Sequence, residues 1–255
     1  MTEIGPQKLL GPNDPPPIEV INEGSDYPAV LVCEHAGRVV PKSLRSLGLR
    51  PNAFDLHIAW DIGTDGLSRA LAERLGATAI LQPYSRLVID CNRPTHVKDA
   101  MPEVSDHIEV PRNIDLSGEA RRARIDEIFL PFQRTVDGFL DQRHVKAAFS
   151  IHSFTPVMDG FARPWDIGFL YRKDDQTSHQ LAARIAEQDP NLTIGFNQPY
   201  QICDISDWFV PQHAERRSLP HSLIEVRNDH LDNDQAIADW ADRLGNAINA
   251  FAKTI

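Results

Sequence analysis

The sequence lacks the segments that would direct a chain into or across a membrane. No stretch approaches the ~18 consecutive apolar residues of a membrane-spanning helix. The segment from Met1 to Pro17 has acidic residues and several prolines but no apolar core, so it is not expected to be a signal peptide. The 3 cysteines are an odd number without metal-site spacing. We therefore expect a cytoplasmic protein with reduced thiols.

Basic charge and several catalytic motifs are also missing. Asp and Glu (36) outnumber Lys and Arg (26), and no run of basic residues offers a surface for nucleic acid. The glycine-rich fingerprints of nucleotide sites and the Gly-x-Ser-x-Gly turn of serine hydrolases are absent. A cysteine nucleophile at Cys33, two residues before His35, is an alternative. However, Cys33 continues an apolar run, which favours a buried small hydrophobe.

What is present is the composition of one globular domain. The chain has 255 residues, of which 42% are hydrophobic and 24% charged. We predict a Pro-rich N-terminal arm at 1–17 and one α/β domain at 18–255. Apolar runs predict strands at 29–33, 77–81, 87–89, 147–151, 167–171 and 222–226, and helical patterns occupy 52–75, 117–143, 178–188 and 233–251. This order predicts a central mixed, largely parallel sheet flanked by helices on both faces.

Polar clusters follow or interrupt four of the predicted strands. They are Glu34-His35-Ala36-Gly37, Asp90-Cys91-Asn92-Arg93-Pro94, His152-Ser153-Phe154, and Glu225 with the following Arg227-Asn228-Asp229. In open parallel sheets the ligand crevice lies at the carboxyl ends of the strands. We therefore expect these clusters to form one site.

Two histidines suggest that this site holds a metal ion. His35 and His152 each follow a predicted strand and can supply imidazole ligands, while a catalytic zinc takes three protein ligands and keeps one position open. His57 and Asp61 are four residues apart in a predicted helix and share a face. Asp61 is the better third ligand, and His57 would support it or touch the substrate. Three residues after His35 stands Arg38, so the His-x-x-Glu pair of many zinc peptidases is absent.

A buried glutamate is the candidate general base. Glu225 lies in an apolar string, where a carboxylate is costly to bury unless it is paired or near a metal. Such a group suits proton transfer from water to a leaving amine. The alternative is a structural ion pair with Arg227 or with another arginine. Glu34 alternates with His35 along the predicted strand, so we expect it on the opposite face as a supporting residue.

Arginines near the same strand ends are candidates for holding a substrate carboxylate. Arg93 with Asn92 is the first choice, because a guanidinium matches a carboxylate geometrically. Arg86 and Arg163 are further candidates. The alternative for each arginine is a scaffold ion pair.

Six ordered segments together resemble the motifs of the N-formylglutamate amidohydrolase family. The segments are 33–37, 57–63, 85–94, 151–156, 163–168 and 224–229. The resemblance covers roughly residues 25–250. It implies a fold similar to that of zinc carboxypeptidases and N-acetylmuramoyl-alanine amidases, with metal at the strand ends. It also implies His35, Asp61 and His152 as ligands, Glu225 as base, and Asn92-Arg93 as the carboxylate clamp.

The resemblance predicts a Zn²⁺ enzyme, although another divalent metal would serve. Its substrate would be a small anionic N-acyl amino acid, and the best candidate is N-formyl-L-glutamate, cleaved to formate and L-glutamate. Two alternatives stay open: a zinc amidase or carboxypeptidase acting on a peptide or cell-wall fragment, and a metal-free ligand-binding homologue. No nucleic-acid or membrane partner is expected.

Overall fold

A seven-stranded mixed sheet forms the centre of the computed structural model, which describes residues 8–255. Numbered along the chain, its strands are β1 (Glu19–Ile21), β2 (Ala29–Cys33), β3 (Ala79–Leu81), β6 (Ala147–Phe154), β9 (Ile167–Leu170), β10 (Ile194–Phe196) and β11 (His221–Arg227). Two separate hairpins pair β4 (Val104–Ser105) with β5 (Ile108–Glu109), and β7 (Val157–Met158) with β8 (Phe161–Ala162).

The sheet order is β1-β3-β2-β6-β11-β9-β10. The central strands β3, β2, β6 and β11 are parallel, while β1 and β9 join this block in antiparallel orientation and β10 runs parallel to β9. The carboxyl ends of the four central strands therefore meet at one edge, where ligand crevices form in open α/β sheets.

Helices cover both faces of the sheet, which confirms the predicted fold class. They are α1 (Thr64–Leu75), α2 (Gly118–Arg124), α3 (Leu130–Leu140), α4 (Asp175–Gln188) and α5 (Asp234–Ala252). Alternate β2 residues point to opposite faces: Leu31 packs in the core that includes Leu67 of α1 and Leu244 of α5, and Val32 packs in the core that includes Phe132 of α3. From residue 8 onwards, no helix is long and apolar enough to cross a lipid bilayer.

Two sequence predictions near the site are wrong. The helix expected over 52–75 begins only at Thr64, and a separate 3-10 turn occupies Pro51–Asp55. Gly63 adopts a left-handed conformation with φ 86°, which a continuous α-helix does not allow. His57 and Asp61 therefore lie in irregular backbone and do not share a helix face. The strand expected over 87–89 is a buried series of turns, in which Val88 N–H donates to the Ser85 carbonyl.

The remaining elements agree with the sequence pattern within a few residues. The helix predicted over 117–143 consists of α2 and α3 joined by a π-helical segment, Ile125–Phe129. Strand β6 continues three residues beyond its predicted end at Ile151, so His152 lies inside a strand.

Part of the predicted N-terminal arm packs against the domain. Its residues 1–7 lie outside the described residues. Further along, the backbone N–H groups of Leu9 and Leu10 donate to the Glu127 carboxylate at 2.7 and 2.9 Å, and the Tyr84 hydroxyl donates to the Pro15 carbonyl at 2.7 Å.

Candidate active site

Three potential metal ligands meet at the carboxyl end of the parallel strands. His35 Nδ1 lies 3.2 Å from both Asp61 Oδ2 and His152 Nδ1, and His152 Nδ1 lies 2.7 Å from Asp61 Oδ2. Ligands bonded to a tetrahedral Zn²⁺ at about 2.0–2.1 Å would be about 3.3 Å apart. All three side chains are buried, and together they could hold one metal ion.

Backbone contacts bring these three residues together. The Asp61 N–H donates to the His35 carbonyl at 3.0 Å, which ties the segment before α1 to the end of β2. The Thr64 hydroxyl donates to the Asp61 carbonyl at 2.7 Å, so the first residue of α1 fixes the same turn. β2 and β6 are parallel neighbours, which places His152 beside the segment that follows Cys33.

The second nitrogen of each imidazole has its own partner. His35 Nε2 lies 2.7 Å from Asp90 Oδ1. His152 Nε2 lies 2.8 Å from Ser150 Oγ and 3.2 Å from Glu34 Oε2. A carboxylate that accepts the Nε2 proton leaves the Nδ1 lone pair for a metal ion and makes the imidazole a stronger ligand. Both histidines are therefore oriented as metal-ligating histidines usually are.

Glu34 occupies a different position from the predicted one. The strand ends at Cys33, so Glu34 and His35 no longer alternate across the sheet. Instead, both contact the His152 ring: Glu34 lies next to Nε2 and His35 next to Nδ1. The Ser150 hydroxyl donates to Glu34 at 2.7 Å and completes this contact. Glu34 is thus placed to support the His152 imidazole.

Arg86 links two of the acidic groups around this centre. Its guanidinium donates to Asp61 Oδ1 at 3.1 Å and to Asp90 Oδ2 at 2.7 Å. Burial opposes the charge on both carboxylates, but Arg86 and His35 hold the pKa of Asp90 well below its usual range, and His35 with His152 does the same for the pKa of Asp61. Both acids are therefore anionic at neutral pH, as a cation site requires.

Glu225 is the register partner of His152 on the neighbouring strand β11. Its side chain is buried, and Oε2 has no hydrogen-bond partner among the described residues. Burial raises the pKa of Glu225 to about 7. An unpartnered carboxyl group with such a pKa beside a candidate metal centre can exchange protons near neutral pH.

A cavity of about 630 Å³ contains the cluster and most of the predicted site residues. Of those predicted from the sequence, the cavity is lined by His35, His57, Asp61, Arg86, Asn92, Arg93, His152 and Glu225. The two hairpins border it: Val104 and Asp106 come from one, and Met158 from the other. His107 and Asp159 join the hairpin tips at 3.2 Å.

The predicted carboxylate clamp is only partly free to bind a ligand. Asn92 accepts from the backbone N–H groups of Trp208 and Phe209 at 3.0 and 2.8 Å and donates to Asp207 at 2.9 Å, which leaves one amide N–H. Arg93 donates to the Ser206 carbonyl at 2.9 Å, and its other N–H groups are not bound within the described chain at hydrogen-bond distance. Its Nε lies 3.7 Å from Asp90 Oδ2, so among the described residues the second terminal nitrogen of Arg93 is the one without a partner.

Two further predicted residues lie at the side of the cavity. His57 Nε2 faces Asp106 at 3.4 Å without a hydrogen bond, and desolvation lowers the pKa of this imidazole. Arg163 does not line the cavity itself. Its guanidinium donates to the Thr155 carbonyl at 3.3 Å and to the Tyr200 hydroxyl at 3.1 Å, and these two residues do line it.

Several residues of this site are not predicted from the sequence. They are Asp90, Ser150, Tyr200 and Asp207. Asp90 could have been found from the sequence, because it directly follows the apolar run 87–89 and belongs to the same polar cluster as Asn92. Tyr200 and Asp207 come from a loop and had no such signal.

The thiol alternative is excluded on physical grounds. Cys33 is buried in the apolar core with Leu31, and desolvation raises the pKa of its thiol to about 12. A thiol with such a pKa holds almost no thiolate at neutral pH and is a poor nucleophile.

The fold and the cluster define an α/β protein with a candidate metal centre at the carboxyl end of its parallel strands. The family model for N-formylglutamate amidohydrolase matches residues 27–231. The chain therefore belongs to the N-formylglutamate amidohydrolase family, and it is an amidohydrolase.

One solved structure is similar to the chain in sequence and fold, and others have low sequence identity. The gene product Atu2144 of Agrobacterium tumefaciens is 33% identical with a TM-score of 0.89, over 96% of this chain and 99% of that one. A bacteriophage poly-gamma-glutamate hydrolase is 11% identical with a TM-score of 0.49, over 93% and 90% of the two chains. The N-acetylmuramoyl-L-alanine amidase AmiC2 of Nostoc punctiforme is 12% identical with a TM-score of 0.44, over 90% and 99%. A search of curated proteins gave no significant match.

Proposed function

We propose that this protein hydrolyses the amide bond of a small anionic N-acyl amino acid, with N-formyl-L-glutamate as the best candidate. The observation behind the proposal is that His35, Asp61 and His152 meet in one cavity with the unpartnered carboxylate of Glu225. Membership of the N-formylglutamate amidohydrolase family supports an amide as the bond that is cleaved and an N-formyl amino acid as the substrate. The unpaired cysteines support a cytoplasmic location, and the one seven-stranded sheet at the centre supports one catalytic domain from residue 18 onwards.

The residues present fit a divalent cation. Two Nδ1 atoms and one carboxylate oxygen converge, and each Nε2 lies within hydrogen-bond distance of an oxygen outside the centre. The tautomer protonated on Nε2 would donate to that oxygen and present the Nδ1 lone pair to a cation. Two imidazoles and a carboxylate match the ligand preferences of Zn²⁺, and other divalent metals bind the same donors. A bound ion would polarise the scissile carbonyl and make a water molecule more acidic.

Glu225 performs the proton transfers in this proposal. It takes a proton from the attacking water and returns it to the nitrogen of the leaving amino acid. Burial raises the pKa of Glu225, whereas a nearby divalent cation would lower it, and these opposed effects suit a group that must accept and then release a proton near neutral pH. Strand register supports the assignment, since Glu225 lies directly beside the candidate ligand His152.

Arg93 is the proposed anchor for the substrate carboxylate. Arg93 lines the cavity and has one terminal nitrogen without a partner among the described residues, and the preceding residue, Asn92, keeps one amide N–H. His57 borders the same space and is a second candidate contact. Arg86 is held by Asp61 and Asp90, so we assign it to the orientation of those groups, with any substrate contact made from its remaining N–H.

A substrate panel tests the proposal. Protein stripped with a chelator and reloaded with Zn²⁺ is assayed for amine release from N-formyl-L-glutamate, N-formyl-L-aspartate, N-acetyl-L-glutamate, N-formyl-L-leucine and muropeptides. We expect metal-dependent release that is fastest for N-formyl-L-glutamate. Preference for the muropeptides would establish the cell-wall alternative, and inactivity on the whole panel with metal bound would favour a binding protein.

A further inference from the structure

Tyr200 holds a hydroxyl group whose proton has no acceptor in the protein. Arg163 Nη1 donates to Tyr200 Oη at 3.1 Å, and the Arg163 guanidinium carbon lies 5.0 Å from the centre of the Tyr200 ring. A guanidinium has only donors, so it cannot accept the hydroxyl proton. Within residues 8–255 the hydroxyl makes no other hydrogen bond. The proton is therefore available to a ligand.

The fold brings this tyrosine to the cavity that the candidate base also lines. Glu225 is paired in register with Gly168 on β9. A Cβ atom on Gly168 would lie only 2.0 Å from the Gln198 carbonyl oxygen, so the missing side chain lets the 198–200 segment approach β9 and β11. Tyr200 and Glu225 consequently line the same cavity as the three candidate ligands.

Arg163 is placed to strengthen the tyrosine as a donor. Its charge lies against both the Tyr200 oxygen and the Tyr200 ring, and its second contact, to Thr155, fixes the guanidinium. A hydroxyl that accepts a charge-assisted hydrogen bond becomes a better donor through its own proton. Desolvation, followed by the charge of Glu225, raises the pKa of Tyr200, so the hydroxyl keeps its proton at neutral pH.

We propose that Tyr200 donates its hydroxyl proton in a hydrogen bond to the oxygen of the scissile carbonyl, and that Arg163 is the positioning residue for this donor. The inference rests on the proposed amide hydrolysis. A fixed donor directed at the oxygen on which negative charge develops stabilises the transition state more than the bound substrate. The arginine predicted to touch substrate would thus act through the tyrosine.

Steady-state kinetics of Zn²⁺-loaded variants on the best substrate of the panel test this inference. Tyr200→Phe keeps the ring against Arg163 and removes only the hydroxyl, so we expect kcat to fall about 100-fold with little change in KM. Arg163→Lys should lower kcat about 10-fold alone and have no further effect in the Tyr200→Phe background, since the two residues act as one unit. Metal content should be unchanged. The control, Tyr171→Phe, removes a tyrosine hydroxyl outside the cavity lining and should leave kcat unchanged.

Several outcomes would overturn the inference while the proposed function stands. These are an active wild type with an unchanged kcat in Tyr200→Phe, an effect confined to KM, loss of metal from Tyr200→Phe, or independent effects of the two substitutions. A metal-loaded wild type that cleaves no substrate would overturn the proposed function itself, and this inference with it.

Discussion

His152 and Glu225 are direct neighbours on the parallel strands β6 and β11, and their side chains reach the same cavity from the same face of the sheet. His152 offers Nδ1 to the candidate metal centre, while Glu225 keeps a carboxylate oxygen without a partner. In the proposed mechanism, two residues adjacent in register thus have different roles: His152 binds the metal ion and Glu225 transfers the proton.

Glu225→Gln should separate these two functions. The amide preserves size but cannot accept a proton from water, so we expect kcat to fall by about 10²–10⁴-fold. Metal content, measured by elemental analysis, should stay at the wild-type level, because Glu225 is outside the ligand set. Glu187→Gln removes an exposed carboxylate on α4 and serves as the control with unchanged kcat. Substantial turnover by Glu225→Gln would remove this residue as the base.

Asp90 should determine how tightly the metal is held. Asp90→Asn removes the charge that faces His35 Nε2, and loss of such a partner typically weakens metal binding about 10–100-fold. The dissociation constant for Zn²⁺ is measured by competition with a chromophoric chelator. Asp99→Asn is the matched control, since Asp99 borders the cavity without contacting a candidate ligand. Equal affinities in the two variants would argue against a role for Asp90 in orienting His35.

Gly168 should be intolerant of a side chain. Alanine there would force the Gln198 carbonyl away, which we expect to destabilise the protein by about 1–3 kcal/mol and to lower kcat by displacing Tyr200. Gly138→Ala is the control: nothing lies near its Cβ position in α3, so a gain of about 0.5–1 kcal/mol is expected. Denaturant unfolding measures both. A neutral Gly168→Ala variant would show that the 198–200 segment moves without cost.

Asp207 should make stability depend on pH. Burial raises its pKa to about 7, although Val210 N–H and Asn92 donate to it. Because the folded-state pKa is raised, the folded protein keeps a proton that the unfolded chain releases near pH 4. This contribution to stability is complete below about pH 4 and is lost as the pH rises to about 7, by a few kcal/mol.

Urea unfolding of metal-free protein between pH 4.5 and pH 7.5, both approximate limits set by these pKa values, tests the sign of the Asp207 effect. Asp207→Asn should flatten the decline of unfolding free energy with pH, whatever its absolute stability. Asp126→Asn, which alters an exposed carboxylate, should keep the wild-type slope. The same slope in all three proteins would contradict a raised pKa at Asp207.

Residue type and order were enough to predict which segments meet at the candidate site. Apolar runs located β2, β6 and β11, and the polar residues at or near their ends proved to be neighbours. The prediction was possible because the carboxyl ends of parallel strands share one edge of the sheet, independently of the conformation of the loops. The same logic predicted that His35 and His152 would share one site, whereas Asp61 was predicted from a helix face shared with His57 that the structure does not contain.

Features fixed by long-range contacts could not be predicted in this way. The apolar periodicity over 52–75 suggested one helix, but the left-handed Gly63 and the hydrogen bond from Asp61 to His35 create a loop there. The apolar run at 87–89 is buried without joining the sheet. Arg163 is a candidate substrate contact from the sequence, but nothing in the sequence indicates that its guanidinium donates to Tyr200, which lines the cavity while Arg163 does not.

The most direct test of the central claim is a crystal of Zn²⁺-loaded protein measured at the zinc absorption edge. The account predicts one strong anomalous peak at about 2.0–2.2 Å from His35 Nδ1, His152 Nδ1 and an Asp61 carboxylate oxygen, with Glu225 beside it and outside the coordination sphere. The absence of a peak between these three residues at full zinc loading, or a zinc ion bound elsewhere in the cavity, would contradict it.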